Sequence, residues 1–229
     1  MGYILNGFVR AGILLATGNP ETFSAVFTTL KVTSMSIMAS LFFGIPAGFF
    51  LGYSNFPGKK HIRAVVDTLL ALPTVVVGLF VYAFISYRGP LGRLGLLFTI
   101  PGIALAQAVL ILPIVISLTA TAIEGLDRRL KSTLLTLGAR KKQIALTSLV
   151  EARHAVMTAA VAAYGRAISE VGISMMIGGN IKWYTRTITT AIALETGKGD
   201  FGEGVALGIV LLLLAFVVNW ILILLKRKK

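Results

Sequence analysis

Arg166 and Glu170 stand four residues apart inside a long apolar stretch. On a helix that spacing puts both side chains on one face, where they can pair. A charge held in a bilayer costs roughly 2.5–3.5 kcal/mol at a helix centre on insertion scales, so such residues persist where they face a protein interior or an aqueous path. Two readings are open: a structural pair that neutralises itself, or groups lining a translocation path or gate. Ser169 and Gly172 fall beside the pair, and Met175 and Met176 follow. Two flexible apolar side chains suit a gate or a packed core equally. No glycine-rich phosphate loop followed by Lys-Ser or Lys-Thr occurs, so nucleotide hydrolysis by that chemistry is excluded. No nucleophile–base–acid set is evident. There is no cysteine, and the two histidines, His61 and His154, lie in basic stretches away from any carboxylate cluster. That argues against a metal centre.

Upstream of the pair lies a basic segment, residues 124–153, which carries seven Lys and Arg residues. Leu130, Leu134 and Leu137 recur at i, i+4 and i+7, the spacing of one helix face. Gly138 then breaks the pattern as a C-cap, with Ala139 after it, and Arg140, Lys141 and Lys142 open a second short helix. A short helix with an apolar face and a basic flank suits a groove on a soluble partner. It also suits the surface of an anionic membrane, where each basic residue is worth about 1 kcal/mol.

Helices that cross a membrane must position these residues. The chain has 229 residues, 56% of them hydrophobic and 14% charged, with a mean hydropathy of +0.85; soluble domains run at about 25% charged. Several windows exceed the roughly 20 apolar residues that span hydrocarbon. The expectation is an all-α, polytopic helical bundle with five core spans, at about Glu21–Tyr53, Val65–Tyr87, Pro101–Ile123, Glu151–Ile177 and Val205–Leu225. Asn19-Pro20-Glu21 reads as the start of the first, with Asn as N-cap and Pro at the first helical position. Pro46, Pro73 and Pro113 lie inside spans and should bend them. Gly44, Gly48 and Gly52 share one face and allow a close helix approach, within the chain or at a dimer seam. Asp67 stands where it can offset a helix terminus or pair with a neighbouring loop. A short helix is expected at 185–195.

Residues 1–19 read as an N-terminal interfacial helix rather than a signal peptide, because no basic region precedes the apolar run and Arg10 splits it. Residues 20–226 form the transmembrane domain. Net charge is +13, which in a soluble protein points to nucleic acid. Here it follows the positive-inside rule and no nucleic acid partner is expected. Fourteen Lys and Arg fall on one side of the five-span arrangement and six on the other. That puts the basic segment and the C-terminus in the cytoplasm and the N-terminus outside.

The basic segment resembles the coupling loop of ABC-importer permeases, whose pattern is Glu-Ala-Ala, three residues, Gly, nine residues, Ile, any residue, Leu-Pro. Gly138 matches the glycine, and Leu137 and Ala139 its usual neighbours. Ser132, Thr133 and Leu134 stand in place of Glu-Ala-Ala, and Ser148, Val150 and Glu151 in place of Ile, Leu and Pro. The run Gly165 to Gly172, followed by Gly179-Asn180, resembles molybdate and sulfate permeases. Arg166, Ala167, Glu170 and Gly172 match residue for residue. Glu151-Ala152-Arg153 and the run through Ser174, Met175 and Met176 look closest to the tungstate branch. The resemblance covers roughly residues 22 to 225. It implies the permease subunit of an ATP-driven oxyanion importer, tungstate first and molybdate or sulfate next, in the prokaryotic inner membrane. It also implies a second copy of the chain, two ATP-binding cassette subunits and an extracytoplasmic oxyanion-binding protein. ATP and Mg would sit on the partner, with no cofactor on this chain, which would therefore be no enzyme by itself. Leu134, Leu137, Gly138, Ala139, Arg140 and Lys141 would form the ATPase-coupling loop. Arg166, Ser169, Glu170, Gly172, Met175 and Met176 would form the path or gate. The rival reading is a self-sufficient secondary anion transporter or channel using Arg166, Glu170 or Asp67 as a charge relay. A membrane-embedded enzyme would need carboxylate or histidine clusters that the sequence lacks.

Overall fold

The computed structural model describes residues 2–227, and among them every regular element is helical. The order is α1 (Gly2–Ala16), α2 (Pro20–Tyr53), α3 (Lys59–Leu69), α4 (Thr74–Ile85), a 3-10 turn (Gly92–Leu94), α5 (Ile100–Glu124), α6 (Arg128–Thr136), α7 (Lys141–Glu151), α8 (Arg153–Ile168), α9 (Gly172–Gly178), α10 (Ile188–Gly197) and α11 (Phe201–Arg227). Three helices, α2, α5 and the Phe201–Ile221 part of α11, are long and apolar enough to cross a membrane. The number rises to five if the broken pairs α3–α4 and α7–α8 each make one span.

The chain forms two compact units. One comprises Met1–Ser36, Pro73–Leu110 and Tyr164–Lys229, the other Ile37–Leu72 and Ile111–Ala163. In the first, α1 lies against α11, with Ala11 and Leu14 packed on Ala206 and Ile209. Arg10 Nε pairs with Glu203 Oε2 at 2.8 Å. A second cluster joins Ala25, Ile188, Ala191, Leu207 and Val210. Asn19 caps α2 as expected, its side chain accepting from the Glu21 and Thr22 N–H groups at 3.0 Å. The expected 185–195 helix begins instead at Ile188, because the Thr187 hydroxyl caps it by accepting from the Thr190 N–H at 3.3 Å.

In the second unit the glycine stripe of α2 packs on α5. A Cβ on Gly48 would lie 2.6 Å from the Ile116 carbonyl oxygen, and one on Gly52 would lie 2.6 Å from that of Ala120. These glycines serve contact within the chain, as small residues do where helix backbones meet. Below them Ile123, Ala152 and Val156 form a core with Phe49, Tyr53 and Leu149 around it.

Two expected spans are broken. Val65–Tyr87 divides at Pro73, which is extended (φ −61°, ψ 130°) and precedes α4. Proline has no N–H to give and disfavours helix at the residue before it, so the chain breaks rather than bends. By contrast Pro46 and Pro113 remain inside α2 and α5. Glu151–Ile177 divides into α7's end, α8 and α9, with Ser169–Val171 outside any helix.

Candidate functional site

The break between α8 and α9 is held by side chains that replace helix bonds. Ser169 Oγ donates back to the Gly165 and Arg166 carbonyls at 3.0 and 3.2 Å. Such local bonding competes with continuation of the helix. Glu170, 3% exposed, turns its carboxylate forward so that Oε1 accepts from the Ile173 N–H at 3.1 Å. An acid at a helix start satisfies an orphan donor and suits the helix dipole. Gly172 is not required for this: a Cβ there would lie 3.4 Å from Glu170 Oε1, an ordinary contact.

The Arg166–Glu170 pair exists but is lopsided. Arg166 Nη1 is 3.7 Å from Glu170 Oε2, and the side chains are 40% and 2% exposed respectively. No hydrogen bond joins them at that distance. The carboxylate is therefore held chiefly by the α9 backbone. The two methionines also part. Met176 Sδ sits beside Gly78 of α4, where a Cβ would lie 3.2 Å from the sulfur, while Met175 is exposed.

A polar relay escaped the reading of the sequence. The Glu170 carbonyl accepts from Ser174 Oγ at 3.3 Å and Thr189 Oγ1 at 2.9 Å. Gln107 Nε2 donates to Ser174 Oγ at 3.3 Å, and Ser36 Oγ donates to Gln107 Oε1 at 3.1 Å. Ser36, Gln107 and Ser174 are all buried. Buried polar groups of this kind are satisfied as a network or not at all. It ties α2, α5, α9 and α10 together around the break. The signal available in the sequence was Gln107, the one amide in α5 and its one polar side chain before Ser117.

The basic segment forms its own site. Asp127 caps α6 by accepting from the Arg129 N–H at 2.9 Å. Gly138 has φ +77°. Ala139 N–H bonds the Leu134 carbonyl at 2.9 Å and Gly138 N–H that of Leu135 at 3.0 Å, the double closure that a left-handed glycine makes at a helix end. Arg140 N–H then donates to Gln143 Oε1 at 2.8 Å and α7 begins. The expected leucine face is corrected in part. Leu130 and Leu134 are half-buried, whereas Leu137 lies past the helix end and is exposed together with Leu135. Arg140 and Lys141 are exposed beside them, and Ala139 is half-buried.

The segment is tied to the helices above it. Lys131 Nζ lies 5.4 Å from the Tyr53 ring centroid. Lys59 Nζ pairs with Glu124 Oε1 at 3.1 Å. Asp67 pairs with Arg63 at 3.0 Å and accepts from Ser117 Oγ at 2.7 Å, so its partners are its own helix and α5 rather than a loop. Among the described residues no cluster of three His, Asp or Glu side chains suits a metal ion.

Residues 44–229 match the family of the binding-protein-dependent transport system inner membrane component. The tungstate uptake system permease protein TupB of Campylobacter jejuni is 47% identical over 227 residues, which is 99% of this chain and 95% of that protein. TupB of Peptoclostridium acidaminophilum is 38% identical over 96% of each chain. The molybdenum transport system permease protein ModB of Escherichia coli K12 is 32% identical over 80% of this chain and 84% of its own. Among solved structures, the MetNI methionine ABC transporter in an inward-facing conformation superposes with a TM-score of 0.73 at 17% identity. That match covers 91% of this chain and 97% of that one, and at that identity it speaks for the fold alone.

Proposed function

The chain belongs to the family of binding-protein-dependent transport system inner membrane components, and from that premise we propose that it is the permease subunit of an ATP-driven oxyanion importer. Tungstate is the first candidate, with molybdate and sulfate next. The observation that carries the anion is the near-full-length likeness to two tungstate permeases. It is a multi-pass membrane protein. In the proposed assembly two copies enclose the path, two ATP-binding cassette subunits carry ATP and Mg, and an external binding protein delivers the anion. Residues 1–19 lie at the interface, 20–226 form the transmembrane domain, and the C-terminus is cytoplasmic with the N-terminus outside.

Exposed Leu135, Leu137, Arg140 and Lys141 offer the ATPase an apolar knob with a basic rim, and Gly138 sets the turn between α6 and α7. The anchors at Tyr53 and Glu124 let a push on that loop reach the membrane helices. At the α8–α9 break, the Glu170 cap and its hydrogen-bond relay support a gate hinge, with exposed Ser169 and Met175 facing the path. A second copy is supported by α8 itself. Ala155, Thr158, Ala162 and Gly165 are all exposed and recur at spacings of three and four, with exposed Ser169 four further on, just past the helix end. An exposed stripe of small residues suits close helix packing in a membrane.

The test is uptake into proteoliposomes holding the chain, its ATPase and its binding protein. ATP-dependent tungstate accumulation is expected, with molybdate and sulfate competing less well. Uptake by the chain alone, without ATP, would establish the secondary-transporter reading instead.

A further inference from the structure

Lys31 lies well inside α2, a segment apolar and long enough to cross a membrane, and it is exposed. Among the described residues it makes no ion pair and no hydrogen bond. The 34 residues of α2 extend about 51 Å at 1.5 Å per residue, against a hydrocarbon core of about 30 Å. Lys31, about 16 Å from Pro20, then falls just inside the acyl region on the Glu21 side. Helical side chains lean toward the N-terminus, and lysine extends its stem along apolar surface to bring its head to the interface.

Lys31 lines an open groove of about 660 Å³. Ser24, Thr28 and Ser34 of α2 form one wall, Trp183 and Tyr184 the other. The Ser24 hydroxyl has no hydrogen-bond partner among the described residues. Trp183 is held at φ +68°, a left-handed conformation that is a genuine outlier for a bulky side chain. Lys182 Nζ lies 5.2 Å from the Trp183 ring centroid. Phe27 in the groove and Met35 beyond it are exposed. A cation and a free hydroxyl donor, with no carboxylate among the described lining residues, make a site for a tetrahedral oxyanion. The exposed apolar side chains next to it add a surface for a hydrocarbon chain.

We propose that this groove holds the headgroup phosphate of an anionic phospholipid, in the leaflet nearer Glu21. Lys31 supplies the charge, and Ser24, two turns nearer the helix start on the same face, donates to a phosphate oxygen. An acyl chain covers Phe27 and Met35. Tyr184 and Trp183 close the rim at headgroup level, where such rings settle in membranes. A free oxyanion offers the same oxygens but leaves the apolar strip uncovered, which favours the lipid.

The test uses the purified full-length protein in nanodiscs of mixed phosphatidylglycerol and phosphatidylcholine, with bound lipid counted by native mass spectrometry. Wild-type protein should retain phosphatidylglycerol preferentially. Lys31→Gln should lower that preference about fivefold, the scale of one basic residue at an anionic surface, and Lys31→Arg should keep it. Equal retention by wild type and Lys31→Gln overturns the proposal. If Lys31→Gln does not fold, the Ser24→Ala variant decides in the same way: reduced preference is expected, and unchanged preference overturns the site. In a second arm, the acylation rate of Lys31 is followed in phosphatidylcholine nanodiscs, with either tungstate added or phosphatidylglycerol incorporated. Protection by phosphatidylglycerol and none by tungstate is expected. Protection by tungstate assigns the groove to a free anion and overturns the lipid.

Discussion

Glu170 and Arg166 contribute unequally although they stand one helical turn apart. The glutamate is buried and accepts from a backbone N–H, while the arginine is partly exposed and holds no hydrogen bond to it. At 3.7 Å and with the guanidinium 40% exposed to screening solvent, the ion pair is worth about 1 kcal/mol or less, whereas a buried donor left without its acceptor costs about 1–3 kcal/mol. Arg166→Ala should therefore melt close to the parent in detergent, and Glu170→Ala well below it. Glu170→Gln keeps a carbonyl oxygen for the Ile173 N–H and should recover most of the loss. An Arg166→Ala protein that melts as early as Glu170→Ala would show that the ion pair, not the cap, holds the break. If transport falls in Arg166→Ala while melting does not, Arg166 acts on the path.

The loop between α6 and α7 behaves as one element because its turn is specified by a single backbone conformation. Nothing lies within 4 Å of where a Gly138 Cβ would stand, so substitution there meets no clash. The penalty is the left-handed φ alone, about 1–2 kcal/mol for most L-residues and less for asparagine. Gly138→Val should tilt α6 away from its docking geometry and loosen co-purification of the ATPase subunit, with the membrane helices intact. Gly138→Asn should bind nearly as the parent does. Equal binding by both variants would remove the turn from the coupling mechanism.

For the whole molecule, the small-residue stripe of α8 and the absence of cysteine make the proposed dimer directly testable. A Gly165→Cys or Ala162→Cys variant should form an intermolecular disulfide on mild oxidation in the membrane. A cysteine at Leu212, exposed on α11, should not. Dominant cross-linking through position 212 would move the seam to α11. On the same cysteine-free background, Lys182→Cys should react with an impermeant maleimide in intact cells. Reaction only after permeabilisation would reverse the orientation.

The sequence by itself determined the membrane class, the helical make-up, the start of α2 at Asn19-Pro20, the left-handed turn at Gly138 and the pairing of Arg166 with Glu170. Those features follow from hydropathy, from helical periodicity and from capping, which act over a few neighbouring residues. Only the tertiary structure decided which proline breaks a span and which is absorbed. Pro46 and Pro113 stay within helices, yet Pro73 divides one, and their local patterns do not tell them apart. It also decided that the glycines of α2 meet α5, that Lys31 faces an open groove, and that α8 stops before Glu170. The last depends on hydroxyls and an amide far along the chain: Ser36 meets Gln107 across 71 positions and Gln107 meets Ser174 across 67. A buried polar group finds its partner in space, and no pattern along a single helix records which distant donor or acceptor that will be.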